Sequence, residues 1–457
     1  MTSPHQTASV QPARVTGRTV LHDWWPLAAS WGLMGLEMPA ISVMLGRLPD
    51  PEINLAAFGG IAFPLGLLVE APIIMMLAAS TALSRDLDSF LRLQRFMTIL
   101  AIGLTVIHAL LVFTPLWTWV VIPLLDIPAE VQAPAREAFL WLLPWTWAIA
   151  DRRFRQGMLI RFGRREVVAF GTAIRLMATI GTLFFLAEIG VPGAVVATGS
   201  LSAGVIVEAA YVRFRSSPVV AGPLHAAPPP SSPLRLGRLL KFYIPLALTP
   251  ILILTAQPVA SAGMTRMPEA VASLAVWAPL GGLTFLFRST GIAYNEVVIR
   301  LADSPGSIRA LRRFAWIAGL SFSGVFVLLA VTPLAKVWFR EIVALDEPLA
   351  QLGVSALWIA APVPILTFLQ SLYQGILVNA HRTRPITESV VVYLLITVVG
   401  LAIGVAYGGW TGLLVAMVTY SAANLGQTLW LFLRAKDLLS ADGQYSPQDP
   451  MEAPEPA

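Results

Sequence analysis

From Trp24 to Leu433 long apolar windows alternate with short polar breaks. An apolar run of about 20 residues is what a helix needs to cross the ~30 Å hydrocarbon core of a bilayer. Such windows fall near 24–44, 55–81, 96–114, 137–161, 167–187 and 193–212, and again near 240–264, 270–298, 314–335, 351–379, 386–407 and 412–433. The pattern predicts an all-α polytopic membrane protein of twelve transmembrane helices. Between the sixth and seventh windows, Ser216-Ser217-Pro218, Pro228-Pro229-Pro230 and Ser231-Ser232-Pro233 read as a flexible linker. The expected organisation is an N-terminal segment at 1–23, a first lobe at 24–215, a linker at 216–237, a second lobe at 238–434 and a disordered tail at 435–457.

Composition narrows the class. The chain is 56% hydrophobic and 12% charged, about half the ~25% charge of a soluble domain. It has no cysteine, which excludes disulfides, thiol catalysis and cysteine metal sites. Its five histidines have no zinc-site spacing, and no P-loop or Gly-rich nucleotide fingerprint is present. No enzyme, resident metal or cofactor is expected, and uphill transport would have to draw on an H⁺ or Na⁺ gradient or on the membrane potential.

The net charge of +5 raises the question of nucleic acid, but its location answers it. With both termini in the cytoplasm, most Lys and Arg fall in inside segments, and only Arg47, Arg136, Arg266, Lys336 and Arg340 fall outside. The basic charge is a topology signal. A monomer in a bacterial inner membrane, in contact with lipid but not nucleic acid, is expected.

The two halves are related. A shift of 219 positions sets Pro26-Leu27-Ala28 on Pro245-Leu246-Ala247, Pro39 on Pro258, Ser42 on Ser261, Arg47 on Arg266, Asp50 on Glu269 and Leu55-Ala56 on Leu274-Ala275. A shift of 218 sets Gln156-Gly157 on Gln374-Gly375 and Pro144 on Pro362. With an even number of spans per copy, the copies are parallel. Two six-helix lobes facing across a central cleft suit an alternating-access transporter. Pro39 and Pro258, each inside the first helix of its copy, remove a backbone hydrogen bond and are the candidate bending points.

Charges inside the spans point to a site. Arg152, Arg153 and Arg155 lie on the fourth helix, Arg175 on the fifth and Arg288 on the eighth. Arg288 and Arg175 sit roughly 15 and 12 Å from the cytoplasmic ends of their helices, too deep to reach water easily. An arginine at that depth faces a cavity or a partner. Glu37, Glu70, Asp151 and Glu208 are the acids available; Asp151 and Arg155, four apart, share a helix face. Guanidinium forks bind carboxylate and phosphate, so Arg152, Arg155, Arg175 and Arg288 are candidate anion ligands, with Gln257 and Gln374 as neutral partners. Glu37, Glu70 and Asp151 would balance charge or couple an ion. Gln370, Asn379, Asn424 and Gln427 are expected to bond between helices. His108 reads as a satisfied core residue, and Trp24, Trp25, Trp117, Trp119, Trp338 and Trp410 as interfacial anchors.

Three stretches carry a resemblance: Ala138-Phe139-Leu140-Trp141-Leu142 running to Gly157-Met158-Leu159, Tyr243-Ile244-Pro245-Leu246-Ala247-Leu248, and Ala270-Val271-Ala272 with Leu274, Pro279 and Gly281. In these the chain resembles the multidrug/oligosaccharidyl-lipid/polysaccharide exporter superfamily with its MATE-like fold, and within it most of all the progressive ankylosis protein family. That resemblance implies export of phosphorylated or carboxylated anions such as pyrophosphate, ATP and citrate. Asp151-Arg152-Arg153-Phe154-Arg155 departs from it, since the animal family has a mostly neutral stretch there. The expected function is export of small anions through an arginine-lined cleft. The alternatives are a cation-coupled MATE multidrug antiporter, in which Glu37 would hold the coupling ion, and a lipid-linked oligosaccharide flippase. A scaffold would have no evident use for the duplication and the buried arginines.

Overall fold

The computed structural model describes residues 15–228, 234–304 and 306–440. Twelve long helical stretches, and no strand among the described residues, build the chain. In order they are α1 (Gly17–Leu45), α2 (Pro51–Leu83), α3 (Leu87–Phe113), α4 (Ala129–Trp141 continued by Leu143–Arg161), α5 (Arg165–Glu188) and α6 (Gly193–Leu224). The second half holds α7 (Leu236–Thr265), α8 (Ala270–Leu301), α9 (Ser307–Val331), α10 (Glu347–Asn379), α11 (Arg384–Tyr407) and α12 (Gly412–Ser440). Ten of the twelve are long and apolar enough to cross a bilayer, and α4 and α12 complete the set. They form two six-helix lobes, α1–α6 and α7–α12, around a central cleft.

The duplication is visible in local geometry. Asp50 and Glu269, at the shift of 219, both take the left-handed conformation before α2 and α8. So do Gly163 and His381, and Gly190 and Gly408, each pair at the shift of 218. Asn54 Oδ1 accepts from the Ala194 amide at 2.8 Å, and its counterpart Ser273 Oγ accepts from the Leu413 amide at 3.0 Å. Each bond satisfies an otherwise orphaned donor at the start of the sixth helix of its lobe. Helices α4 and α10 both break just before the matched prolines, at Leu142 and Ala361, because proline offers no amide to the preceding turn.

The lobes also meet as equivalents. A methyl group at Gly59 would stand 2.2 Å from the Ala278 Cβ, and these two positions are 219 apart. At the end of the bundle remote from the termini, Arg47 donates to the carbonyls of Ile342 and Glu341, the latter at 3.1 Å. Its counterpart Arg266 donates to the Pro123 and Leu124 carbonyls at 3.1 and 3.0 Å. At the terminal end the first helices cross over. Trp24 of α1 donates to the Thr290 carbonyl at 2.8 Å and lies against Phe314, Phe322 and Phe368 of the second lobe. Tyr243 of α7 donates to the Pro72 carbonyl at 2.5 Å and packs on Phe96 of the first.

Several sequence expectations need correction. Helix α1 begins at Gly17 rather than Trp24, because Thr16 caps it through the Thr19 amide at 3.3 Å and polar residues extend it beyond the apolar window. The expected linker at 216–237 is helical at its start, since α6 runs on to Leu224, while residues 229–233 lie outside the described residues. Ser216 donates to the Arg213 carbonyl and accepts from Arg155, which anchors that turn to α4 despite its Ser/Pro composition. Helix α12 extends past Leu433 to Ser440, while the expected tail at 441–457 and the segment at 1–14 lie outside the described residues. Trp24 and Trp117 are core residues, whereas Trp25, Trp119 and Trp410 are exposed. The matched prolines behave differently. At Pro39, α1 is interrupted at Leu36, where Gly35 loses the amide that would have bonded its carbonyl. At Pro258, α7 stays continuous although Pro245 and Pro250 also lie within it.

Candidate functional site

The arginines do not share one cleft. Arg152, Arg155 and Arg175 lie inside the first lobe, each against a carboxylate. Arg152 and Gln156, one turn apart on α4, both reach Glu208 of α6, with Gln156 at 2.9 Å. Arg175 and Thr179, one turn apart on α5, both reach Glu37 at 3.2 and 3.0 Å, and Arg175 lies 3.8 Å from Glu208. A continuous chain therefore runs from Arg152 through Glu208 and Arg175 to Glu37, the first residue after the break in α1. On the other flank of α4, Arg155 donates to both oxygens of Asp151 at 3.0 and 3.1 Å and to Ser216 at 3.0 Å. Arg213, half-exposed, adds a second cation to Asp151 at 3.5 Å.

Glu70 completes this cluster without an ion-pair partner among the described residues. It is buried, one of its oxygens has no hydrogen bond, and its strongest charged neighbour is Arg153, whose Nε is also unbonded. Four arginines, counting Arg153, thus face four acids: Glu37, Glu70, Asp151 and Glu208. Charges taken out of water persist only when matched in this way. Arg152, Arg155 and Arg175 are each taken up by a carboxylate, which sets them apart from an arginine held open for an anion. His108 stands apart from it, buried, with its ring nitrogens 3.2 Å from Thr146 Oγ1 and 2.8 Å from the Phe139 carbonyl.

Arg288 is placed differently. It lines a cavity of about 390 Å³ within the second lobe, enclosed by α7, α8, α10, α11 and α12 and by Trp31 of α1. Gln257 and Gln374 line the same cavity, as do Gln370, Asn424, Tyr393 and Tyr420. Arg288 Nε donates to Thr367 at 3.1 Å, Nη1 donates to the Tyr420 hydroxyl, and the guanidinium lies 5.6 Å from the Tyr420 ring centre. No carboxylate among the described residues comes within ion-pair distance of it; Glu296, at the exposed margin of the cavity, stays farther away. Gln370 is tied to the Asn424 carbonyl at 3.0 Å and to Thr428 at 3.1 Å, as an interhelical bond should be. Asn379 likewise donates to the Ile299 carbonyl at 3.2 Å. Gln257 and Gln374 keep their side-chain amides free of protein partners among the described residues.

Trp31, Tyr393, Tyr420 and Thr367 were absent from the sequence expectations. Trp31 alone had a legible signal, standing mid-window rather than at a span end. The other three share the cavity with Arg288 only through tertiary packing, of α10 and α12 against α8 and of α11 against α7 and α12. No group of three or more metal-ligating side chains is found among the described residues.

No family model and no curated protein matches the sequence. Solved structures match its shape. A multidrug resistance MATE family transporter of the MOP superfamily, in an inward-facing conformation, superposes with a TM-score of 0.64 at 15% identity over 93% of this chain and 99% of its own. The Vibrio cholerae MATE transporter VcmN gives 0.58 at 18% over 92% and 97%. A MOP superfamily transporter from Pyrococcus furiosus, described as having a binding pocket of reverse polarity that suggests a different function, gives 0.56 at 15% over 94% and 97%. The chain has the fold of the MATE transporters.

Proposed function

We propose that this protein is an ion-coupled, alternating-access exporter of MATE type, and that its cargo is a small organic molecule carrying an acidic group. The cavity around Arg288 carries the reading: it offers a cation without a carboxylate to neutralise it, and a cationic drug entering there would find no buried counter-charge. The first-lobe cluster takes the coupling role. Neutralising Glu37 would break its ion pair with Arg175 just past the break in α1, beside the half-helix that carries Trp31 into the cavity, so ion coupling there would bear on the cavity wall. The multidrug alternative shares this coupling and differs in the sign of the cargo. A neighbour described as having reversed pocket polarity supports a different cargo on the same fold.

Flux in proteoliposomes tests this. A pH gradient should drive uptake of organic acids, and Glu37→Gln should abolish the dependence on pH while leaving folded protein in the membrane. Gradient-driven uptake of an organic cation with none of any acid would return the multidrug reading.

A further inference from the structure

The cavity says more about the cargo than its charge, and the step taken here rests on the transporter reading above. Its volume of about 390 Å³ is that of a small-ligand site, for which about 300–1,000 Å³ is usual. Its walls have two kinds of recognition group. Arg288 has two of its three nitrogens committed, one to Thr367 and one to Tyr420, so the guanidinium plane is fixed while the remaining nitrogen stays available. Aromatic side chains line the same cavity: Tyr420, whose hydroxyl accepts from the guanidinium, Tyr393, Trp277 farther along α8 and Trp31 from α1.

Trp31 is set apart by its origin. A methyl group at Gly35 would stand 3.1 Å from Leu286 and 3.4 Å from the Ser289 hydroxyl, so α1 runs beside α8 at the level of Arg288. Trp31, one turn before Gly35, thereby enters a cavity built by the other lobe. An indole offers a flat apolar wall at little cost in side-chain entropy and stacks on rings with their centres about 4.5–7 Å apart. A phosphate or a tricarboxylate would not use such a wall.

We infer that the cavity selects a planar aromatic acid, with the acidic group on Arg288 and the ring against Trp31. Gln257 and Gln374, unbonded in the same cavity, suit hydroxyl or carbonyl substituents on that ring. Trp31 stands five residues before the break at Leu36, so this binding residue enters the cavity only as far as α1 is docked on α8.

Calorimetry on the detergent-solubilised protein, with no gradient present, tests the inference with three probes: 2-naphthoate, cyclohexanecarboxylate and 2-naphthylmethylammonium. Naphthoate should bind at least tenfold more tightly than either of the others. Trp31→Leu should remove the preference of naphthoate over cyclohexanecarboxylate, Trp31→Phe should restore most of it, and Arg288→Gln should weaken both acids about equally. Thermal unfolding confirms that each variant is folded. Equal binding of the two acids by the native protein, or tighter binding of the ammonium probe, would overturn the inference. Naphthoate binding without pH-driven flux would uphold the cargo class and sink the transporter reading. Flux of non-aromatic acids without naphthoate binding would do the reverse.

Discussion

Glu208 shows how much one side chain can carry. It is fully buried and serves Arg152, Gln156 and Arg175, so removing it leaves two guanidinium groups short of a counter-charge in a medium that will not solvate them. Breaking a buried pair from one side costs about 3–5 kcal/mol, whereas replacing both partners by apolar groups is often nearly neutral. Glu208→Ala should therefore lower the unfolding midpoint in detergent sharply, and adding Arg152→Met should recover a substantial part of the loss. A midpoint unmoved by Glu208→Ala would mean that water reaches the cluster. At this scale the sequence was half legible. Asp151 and Arg155 could be paired from their spacing of four. That Arg175 belongs to Glu37, and Arg152 to Glu208, depends on how α5 packs on α1 and α6 on α4, which no local pattern encodes. The left-handed turn at Gly163 is legible as glycine, but its counterpart at His381 holds the same conformation with a side chain that gives no hint of it.

At the scale of the element, α1 is the exceptional helix. Its partner α7 has three prolines and stays continuous, while α1 parts at Leu36. The difference lies in the surroundings: beyond the break Glu37 is held by Arg175 and Thr179, and before it Trp24 is held by Thr290 and the phenylalanines of the other lobe. Both first helices reach into the other lobe, but α1 is also held by an ion pair just past its break, and Pro39 lets it satisfy both holds. Pro39→Ala restores the missing amide and should rejoin the two halves. Spin labels placed at His22 and Met44 should then report a longer, narrower distance distribution, with pH-driven flux reduced. An unchanged distribution would assign the break to the two anchor points instead of the proline. The apolar window gave the presence and approximate span of this helix. Its interruption lay one step beyond reach, because the same residue type at the matched site in α7 interrupts nothing.

Across the whole molecule, the two arginines remote from the termini fasten the lobes. Arg47 and Arg266 each donate to carbonyls at the end of a short helix in the opposite lobe, where the carbonyl dipoles concentrate negative potential. Opening that face requires both sets of bonds to part. Arg47→Ala with Arg266→Ala should shift the population toward the open form. A cysteine at the buried Met267 should then react with a membrane-impermeant maleimide several-fold faster than in the otherwise native chain, and the absence of natural cysteines keeps the background clean. An unchanged rate would place the fastening at the crossing of α2 and α8. The duplication and the twelve-helix plan were readable in the sequence because proline and glycine recur at a fixed interval. The division of labour between lobes was not, since it follows from which residues changed after the copies parted.

The crossing at Gly59 and Ala278 has one more consequence. Positions that are copies of each other touch on a rotation axis only where two equivalent bodies associate face to face, as identical subunits of a symmetric dimer do. The contact therefore has the geometry of a symmetric dimer interface folded into one chain, with both halves inserted the same way up. Within one chain the two halves need not stay alike: the first holds paired charge, the second an open chamber.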